Sequence, residues 1–270
     1  MEARNPRSPA AGKGENVMNL RLKCKVYAAL TILRKYVPTT GYRLAFSGGK
    51  DSCVCERLLK MAGVRYQKYY HNVTMDPPEL VRFIQTYHSD SIWINSKWRN
   101  MMHRLANRPS LPPTRMCRWC CDEFKHGSKI LDKEGVVVTG VRREESFIRS
   151  KRELYCMDPR TRQLSLNIIV DWTLLDVWEF IESYQVPYCS LYDEGFDRLG
   201  CVGCPLAGTK QQDIEFDRWP RYEQLWHRAI LKNWENYHDK LKRNGELYMH
   251  SKFESGESLW RWWRSGGKIR

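Results

Sequence analysis

Tyr42-Arg-Leu-Ala-Phe46 runs without interruption into Ser47-Gly48-Gly49-Lys50-Asp51-Ser52, and Asp51 to Ala62 continues at helical spacing up to Gly63. A short apolar β-prone run, a glycine corner and a helix follow one another. Paired glycines let a backbone turn tightly and approach an anion closely. Successive N–H groups at such a corner form an anion-holding concavity, and the helix that follows adds its positive end. Lys50 supplies a cation, Ser47 and Ser52 supply hydroxyl donors, and Asp51 is placed to hold Mg²⁺ or to orient the loop. The string is not the Walker pattern, which needs a longer glycine-to-lysine spacing. An ordinary strand–turn–helix corner is the plainer alternative. Lys50 and Asp51 are the candidate catalytic pair. Ser47, Gly48, Gly49, Lys50, Asp51 and Ser52 are the candidate nucleotide-binding loop.

Outward from this corner the pattern alternates. Asn19 to Val37 is helical, with Leu22, Val26, Ala29, Leu30 and Leu33 on its apolar positions. Val64 to His71, Ser91 to Asn95 and Val136 to Thr139 are expected strands, and Leu164 to Val170 is apolar and β-prone. Pro77 to Tyr87 and Thr173 to Tyr184 are expected helices. Alternating strands and helices predict an α/β fold, doubly wound about a mostly parallel sheet. After Pro205 no strand is expected, and Trp219 to Leu241 is helical and charged. The expected division is a flexible tail over 1–18, a nucleotide-binding α/β domain over 19–207 and a basic, Trp-rich helical extension over 208–270. Trp260 to Arg264 is either a packed arm or a surface for stacking on bases.

With 270 residues, 42% of them hydrophobic, the chain can bury a substantial core. It has no apolar run long enough to span a bilayer and no secretory signal, so a cytoplasmic protein with no membrane partner is expected. The formal charge of +14 favours a polyanionic partner. Ten cysteines in such a chain point to metal or redox chemistry rather than to a disulfide framework. Cys53 and Cys55 fall on the helix after the corner and fit core packing. Cys156 and Cys189 fit buried positions, with a sulfur-carrying or resolving role as the alternative. The seven histidines show no ligand spacing.

Cys117-Arg-Trp-Cys120-Cys121 and Cys201-Val-Gly-Cys204 are the two cysteine clusters, with 79 residues between Cys121 and Cys201. They suit one four-thiolate site. Cys117 and Cys120 with Cys201 and Cys204 have good zinc spacing. Adjacent Cys120 and Cys121 would strain around one small tetrahedral ion but could each take a corner of a cubane. Chemistry alone leaves zinc and an iron–sulfur cluster both open.

Several segments together carry a family resemblance: the Ser47–Ser52 loop, Arg118 to Lys125 with its Cys-Cys pair, Gly140-Val-Arg-Arg-Glu-Glu-Ser146 with Arg149, Val170-Asp-Trp172 followed by Asp176-Val-Trp178, and Leu191 to Cys201. Over about Tyr42 to Ala207 the chain resembles the phosphoadenosine phosphosulfate reductase family, and its loop resembles that of the ATP pyrophosphatases that split ATP between the α and β phosphates. The resemblance implies an adenine nucleotide alpha hydrolase-like fold. It implies a [4Fe–4S] cluster on Cys120, Cys121, Cys201 and Cys204, with Cys117 as a substitute ligand. It also makes Lys125, Gly140, Arg142, Arg143 and Arg149 candidate nucleotide contacts, the arginines through bidentate bonds to phosphate.

The chain departs from the family's reductases in two ways. No cysteine follows Cys204, where those enzymes carry a nucleophilic thiol, and Lys50 and Asp51 are intact where theirs are usually altered. Both departures favour ATP with Mg²⁺ as the substrate, and sulfur transfer or nucleic-acid modification as the task. A sulfonucleotide reductase producing sulfite is the first alternative. A non-catalytic subunit of a nucleic-acid complex with a structural cluster is the second. The expected partners are an adenine nucleotide, a tRNA, DNA or ribonucleoprotein, a sulfur-donor protein, and a second copy of the chain in a homodimer.

Overall fold

A computed structural model describes residues 18–98, 100–126, 135–158 and 162–267. The expected tail over 1–18 lies, but for Met18, outside the described residues. In chain order the elements are α1 (Leu20–Lys35), β1 (Tyr42–Phe46), α2 (Lys50–Ala62), β2 (Tyr66–Asn72), α3 (Pro78–Tyr87), β3 (Ile92–Asn95), α4 (Met101–Ala106), α5 (Trp119–Cys121), β4 (Val136–Val138), α6 (Phe147–Ser150), β5 (Tyr155–Met157), β6 (Leu164–Leu166), α7 (Leu174–Ser183), α8 (Thr209–Arg218), α9 (Pro220–Tyr237) and α10 (Gly256–Arg264). None of the described helices is long and apolar enough to cross a membrane. The chain forms two compact units: Met1–Tyr70, Pro78–Ile92 and Asp132–Leu199 make the first, and His71–Pro77, Trp93–Leu131 and Gly200–Arg270 make the second.

The strands form one sheet in the order β3-β2-β1-β4-β6-β5. β1 runs parallel to β2, with Tyr42 opposite Tyr66 and Phe46 opposite Tyr70, and parallel to β4 on its other side. β4 and β6 are parallel, and β5 is an antiparallel edge. The fold is therefore α/β with a mostly parallel sheet. The chain winds outward from β1 in one direction and resumes at β4 on the other side. Strand order thus reverses between β1 and β4, and in such sheets the crevice beyond that reversal is where ligands bind. The corner after β1 and the Gly140 loop after β4 flank it.

Local sequence accounts for the elements of the first unit. Asn19 caps α1, its side chain accepting from Arg21 N, and Leu22, Val26, Ala29 and Leu33 bury one stripe of the helix. Tyr42 donates its hydroxyl to Leu33 O at 3.1 Å, which fastens α1 to β1. Thr173 and Asp176 form a capping box at the start of α7, and Lys25 reaches Asp176 at 2.5 Å.

One expected strand ends early. The run to Val170 pairs only from Leu164 to Leu166. Asn167 turns the chain: its backbone N–H donates to Leu154 O, and its side chain accepts from Thr139 Oγ1 at 2.5 Å. Ile168, Ile169 and Val170 are buried in the turns that follow. Their apolar character reflects burial rather than strand pairing. The edge strand β5 and the short helices α4 and α8 carry too few periodic residues to have been expected.

Beneath α2 lies a buried ionic cluster. Glu56 receives Lys68 Nζ at 2.7 Å, His88 Nδ1 at 2.7 Å and Lys60 Nζ at 2.8 Å, and Lys68 also meets Asp90. Burial raises the Glu56 pKa, but hydrogen bonds from His88, Lys60 and Lys68 outweigh it and hold the carboxyl well below the usual range. Every charge in the cluster has a partner, and the cluster braces α2 from below against β2 and the end of α3.

In the second unit, aromatic anchors hold the helices. Trp226 stacks on Trp263 with centroids 4.6 Å apart and donates to Val202 O at 3.0 Å. Trp263 donates to Pro113 O at 2.8 Å. Asn233 donates to both Leu105 O and Arg108 O, and His250 pairs with its amide oxygen. Within the Trp260–Arg264 stretch, Trp263 is thus a packing residue.

Removing one member of the Glu56 cluster leaves a buried charge without its partner. Glu56→Gln is expected to cost about 3–5 kcal/mol in urea unfolding at neutral pH. The folded state resists protonating Glu56. Its contribution is therefore complete above the unfolded carboxyl pKa, about 4.3, and fades as pH falls below that value toward the lower folded one. The wild-type stability should fall in that acid range, and the variant's should fall less.

Candidate nucleotide cleft and cysteine site

β1 delivers the chain to Ser47, and Gly48 then turns with φ of 72°, in the left-handed region. A Cβ at Gly48 would lie 2.8 Å from side-chain carbons of Leu80 and Ile84 on α3, so conformation and space both select glycine. Gly49 caps α2. The corner is laced by its own serines: Ser52 Oγ donates to Gly49 O at 2.8 Å, Ser47 N to Ser52 Oγ at 3.3 Å, and Gly49 N to Ser47 Oγ at 3.3 Å. The same hydroxyls stand where an incoming anion would need donors.

Lys50 is 4% exposed. Its backbone N–H donates to the Tyr192 hydroxyl at 3.0 Å, and its ammonium donates to Asp197 O at 3.0 Å and lies 3.5 Å from Asp51. The ammonium also sits 5.1 Å from the centre of the Tyr192 ring. Burial raises the Tyr192 pKa, which keeps its hydroxyl protonated. The loop after β4 closes the opposite wall. Arg142, 5% exposed, donates to Asp51 Oδ1 at 2.7 Å and to Glu144 Oε2 at 2.7 Å. Glu145 accepts from Arg142 N at 3.0 Å and pairs with Arg149. Gly140 passes so close to α2 that a Cβ there would lie 3.0 Å from the Asp51 carbonyl carbon.

These residues enclose a cleft of ≈ 690 Å³, within the range of nucleotide-sized ligand sites. Of the expected contacts, Ser47, Gly49, Lys50, Asp51, Ser52, Gly140, Arg142 and Arg149 line it. Gly48 shapes the corner from behind. Arg143 turns elsewhere, pairing with Asp171 and donating to Arg152 O at 2.8 Å. Sequence reasoning gave no role to Tyr192, Asp197 or Arg198, which also line the cleft. They lie in the Leu191–Cys201 segment, whose family likeness was the one available signal.

The cysteine clusters and Lys125 belong to the second unit. Gly203, with φ of 74°, turns between Cys201 and Cys204. Its N–H donates to Glu215 Oε2 at 2.6 Å, and its carbonyl accepts from Gln212 Nε2 at 3.0 Å, so α8 holds this turn. Cys120, Cys121, Cys201 and Cys204 lie within electrostatic reach of one another. Interaction with its neighbour Cys121 raises the Cys120 pKa, and the same interaction lowers that of Cys121, with Lys125 and Arg118 adding to the lowering. Burial pushes Cys201 and Cys204 up, against the pull of Lys125. The Lys125 ammonium is in turn stabilised first by Cys201, then by Asp76, Cys121 and Cys204. Cys117 is exposed. Among the described residues no three His, Cys, Asp or Glu side chains converge as ligands of one metal ion. The donor set is nonetheless all sulfur, the ligand chemistry that iron–sulfur clusters use.

A mostly parallel sheet with a glycine corner and a cleft of paired charges at its strand-order reversal defines a doubly wound α/β protein. The phosphoadenosine phosphosulfate reductase domain model matches residues 41–207. The chain belongs to that family. An uncharacterized protein of Methanocaldococcus jannaschii is 26% identical over 229 residues, 81% of this chain and 45% of that one. An adenosine 5'-phosphosulfate reductase of Oceanobacillus iheyensis is 34% identical over 82 residues, 30% of this chain and 34% of that enzyme. The chain therefore spans about half the length of the first of these relatives and about a third of the second. The crystal structure of phosphoadenylyl-sulfate reductase from Candida auris has the same fold, with a TM-score of 0.53 at 14% identity over 66% of this chain and 89% of that one.

Gly48→Ala tests the corner. The strained backbone and the clash with Leu80 and Ile84 should cost roughly 1–3 kcal/mol in urea unfolding. Calorimetric titration should show nucleotide affinity falling with it.

Proposed function

We propose that this chain binds ATP in the cleft between the Ser47–Ser52 corner and the Gly140–Arg149 loop and cleaves it between the α and β phosphates, transferring the adenylyl group to an acceptor in sulfur transfer or nucleic-acid modification. The observation that carries this is the intact Lys50–Asp51 pair at the head of α2, with Lys50 buried, Asp51 half-buried and Arg142 facing them. A triphosphate needs distributed positive charge and a carboxylate for its metal. Lys50, Arg142, Arg149 and the amides at the start of α2 provide the first, and Asp51 provides the second.

The reaction is an in-line displacement at the α phosphorus. An acceptor oxygen forms a bond to that phosphorus as the bond to the bridging α–β oxygen breaks; pyrophosphate departs and the acceptor gives up its proton. Lys50 and the corner amides stabilise charge gathering on the departing pyrophosphate. Arg142 can exchange its bond with Asp51 for one to phosphate, which frees the Asp51 carboxylate for Mg²⁺. Mg²⁺ supplies charge neutralisation there. Tyr192 positions Lys50 from both backbone and ring.

In the second unit Cys120, Cys121, Cys201 and Cys204 would hold a [4Fe–4S] cluster, with Lys125 balancing the thiolate charge. When bound, such a cluster supplies electron transfer or a site for sulfur. An adenylylsulfate reductase is the second possibility, favoured by the likeness to the Oceanobacillus iheyensis enzyme. It predicts sulfite from a sulfonucleotide rather than AMP and pyrophosphate from ATP.

Lys50→Ala should lower ATP turnover at least a hundredfold, followed as AMP and pyrophosphate, while leaving the circular dichroism spectrum unchanged; turnover at the wild-type level sinks the assignment. Protein purified without oxygen should carry about four irons per chain if the cluster is [4Fe–4S]. Cys121→Ser and Cys201→Ser should each lose most of that iron, and zinc in place of iron would contradict the cluster.

A further inference from the structure

Just past the arginines of the cleft, α6 shows an arrangement that nucleotide binding does not use. Phe147 is 78% exposed and Ile148 is 80% exposed, side by side in sequence. Adjacent apolar side chains held this far into water are uncommon unless something covers them. The backbone beneath them is fixed: Ser146 caps α6 through Arg149 N, and Ser150 Oγ donates to Phe147 O at 2.7 Å. The pair is therefore presented by ordered structure.

The cation nearest the pair is Lys151. Lys151 Nζ lies 5.0 Å from the centre of the Phe147 ring and, among the described residues, has no carboxylate partner. Both acids of the segment are engaged in pairs: Glu145 is largely covered, and Glu144, half exposed, is bound on one oxygen. Glu144 accepts from Arg142 and from Leu174 N at 2.6 Å, and Glu145 is taken by Arg142 N and Arg149. What faces outward is an aromatic ring and an aliphatic side chain beside an unneutralised ammonium, two residues from an arginine that lines the cleft.

We infer that Phe147, Ile148 and Lys151 form the docking surface for an unpaired base of an RNA loop, the base lying on Phe147 and a neighbouring phosphate on Lys151. An aromatic face next to a cation is the unit from which single-stranded nucleic-acid sites are built. One exposed ring with no wedge to open a duplex suits a base that is already unstacked, as RNA loops present them. The chain's charge of +14 supplies the long-range attraction. The inference rests on the proposed function and supplies its acceptor: a nucleotide held here lies at the rim of the cleft where the adenylyl group would be transferred.

The test uses the full chain and fluorescein-labelled bulk tRNA, followed by fluorescence anisotropy at two salt concentrations, with ATP binding measured in parallel. Phe147→Ala is expected to weaken tRNA binding roughly five- to hundredfold, and Lys151→Ala to weaken it and flatten its salt dependence. ATP affinity should stay unchanged in both variants, since neither residue lines the cleft. Wild-type tRNA binding that both variants retain would overturn the docking surface and leave the nucleotide site standing. Preference for a DNA duplex over tRNA would overturn the choice of RNA. A shift from dimer to monomer in Phe147→Ala, with tRNA binding intact, would show that a second copy covers the patch and would overturn the proposal. Loss of ATP turnover in Lys50→Ala is read separately and bears only on the proposed function.

Discussion

The proposed nucleotide site depends on the left-handed turn at Gly48. Nothing larger than hydrogen fits at that position against Leu80 and Ile84. The turn sets the first amides of α2 at the end of β1, where strand order reverses. From that one placement follow the burial of Lys50, its grip by Tyr192 and Asp197, and the position of Asp51 opposite Arg142. The ionic cluster around Glu56 holds the same helix from below. The helix that carries Lys50 and Asp51 is thus pinned at its head by hydrogen bonds and on its underside by buried charge.

Charge in the cleft is internally balanced. Arg142 is shared between Asp51 and Glu144, Arg149 pairs with Glu145, and Lys50 approaches Asp51. Under the proposed function an incoming polyphosphate would exchange partners with these carboxylates rather than meet idle cations. Such exchange would favour a ligand that can satisfy several donors at once and that brings a metal for the released carboxylate. In the second unit Lys125 and Arg118 favour the ionised form of Cys121, and Lys125 is stabilised in turn by the cysteines around it.

The sequence made the corner after β1 legible because strand, glycine pair and helix are each a local signal. Lys50, Asp51, Arg142 and Arg149 could be named because they sit in short contiguous strings. Tyr192 and Asp197 could not, since they reach Lys50 across more than a hundred residues and do so partly through backbone atoms, which carry no side-chain signature. Arg143 shows the converse: beside Arg142 in sequence, it turns toward Asp171 because extended backbone at Arg142 sends neighbouring side chains opposite ways. The run from Leu164 to Val170 is mostly apolar because nearly all of it is covered, whereas Asn167 decides where pairing stops. Gln212 and Glu215, which hold the turn at Gly203, lie on a helix whose polar composition hides its packing role.

The most direct test is a crystal structure of the protein with α,β-methylene-ATP and Mg²⁺. The polyphosphate should lie on the amides of Gly48 to Ser52, with Lys50 and Arg142 on its oxygens and Asp51 turned from Arg142 to the metal. A nucleotide bound elsewhere, with the Asp51–Arg142 pair unbroken and the corner bare, would contradict the account.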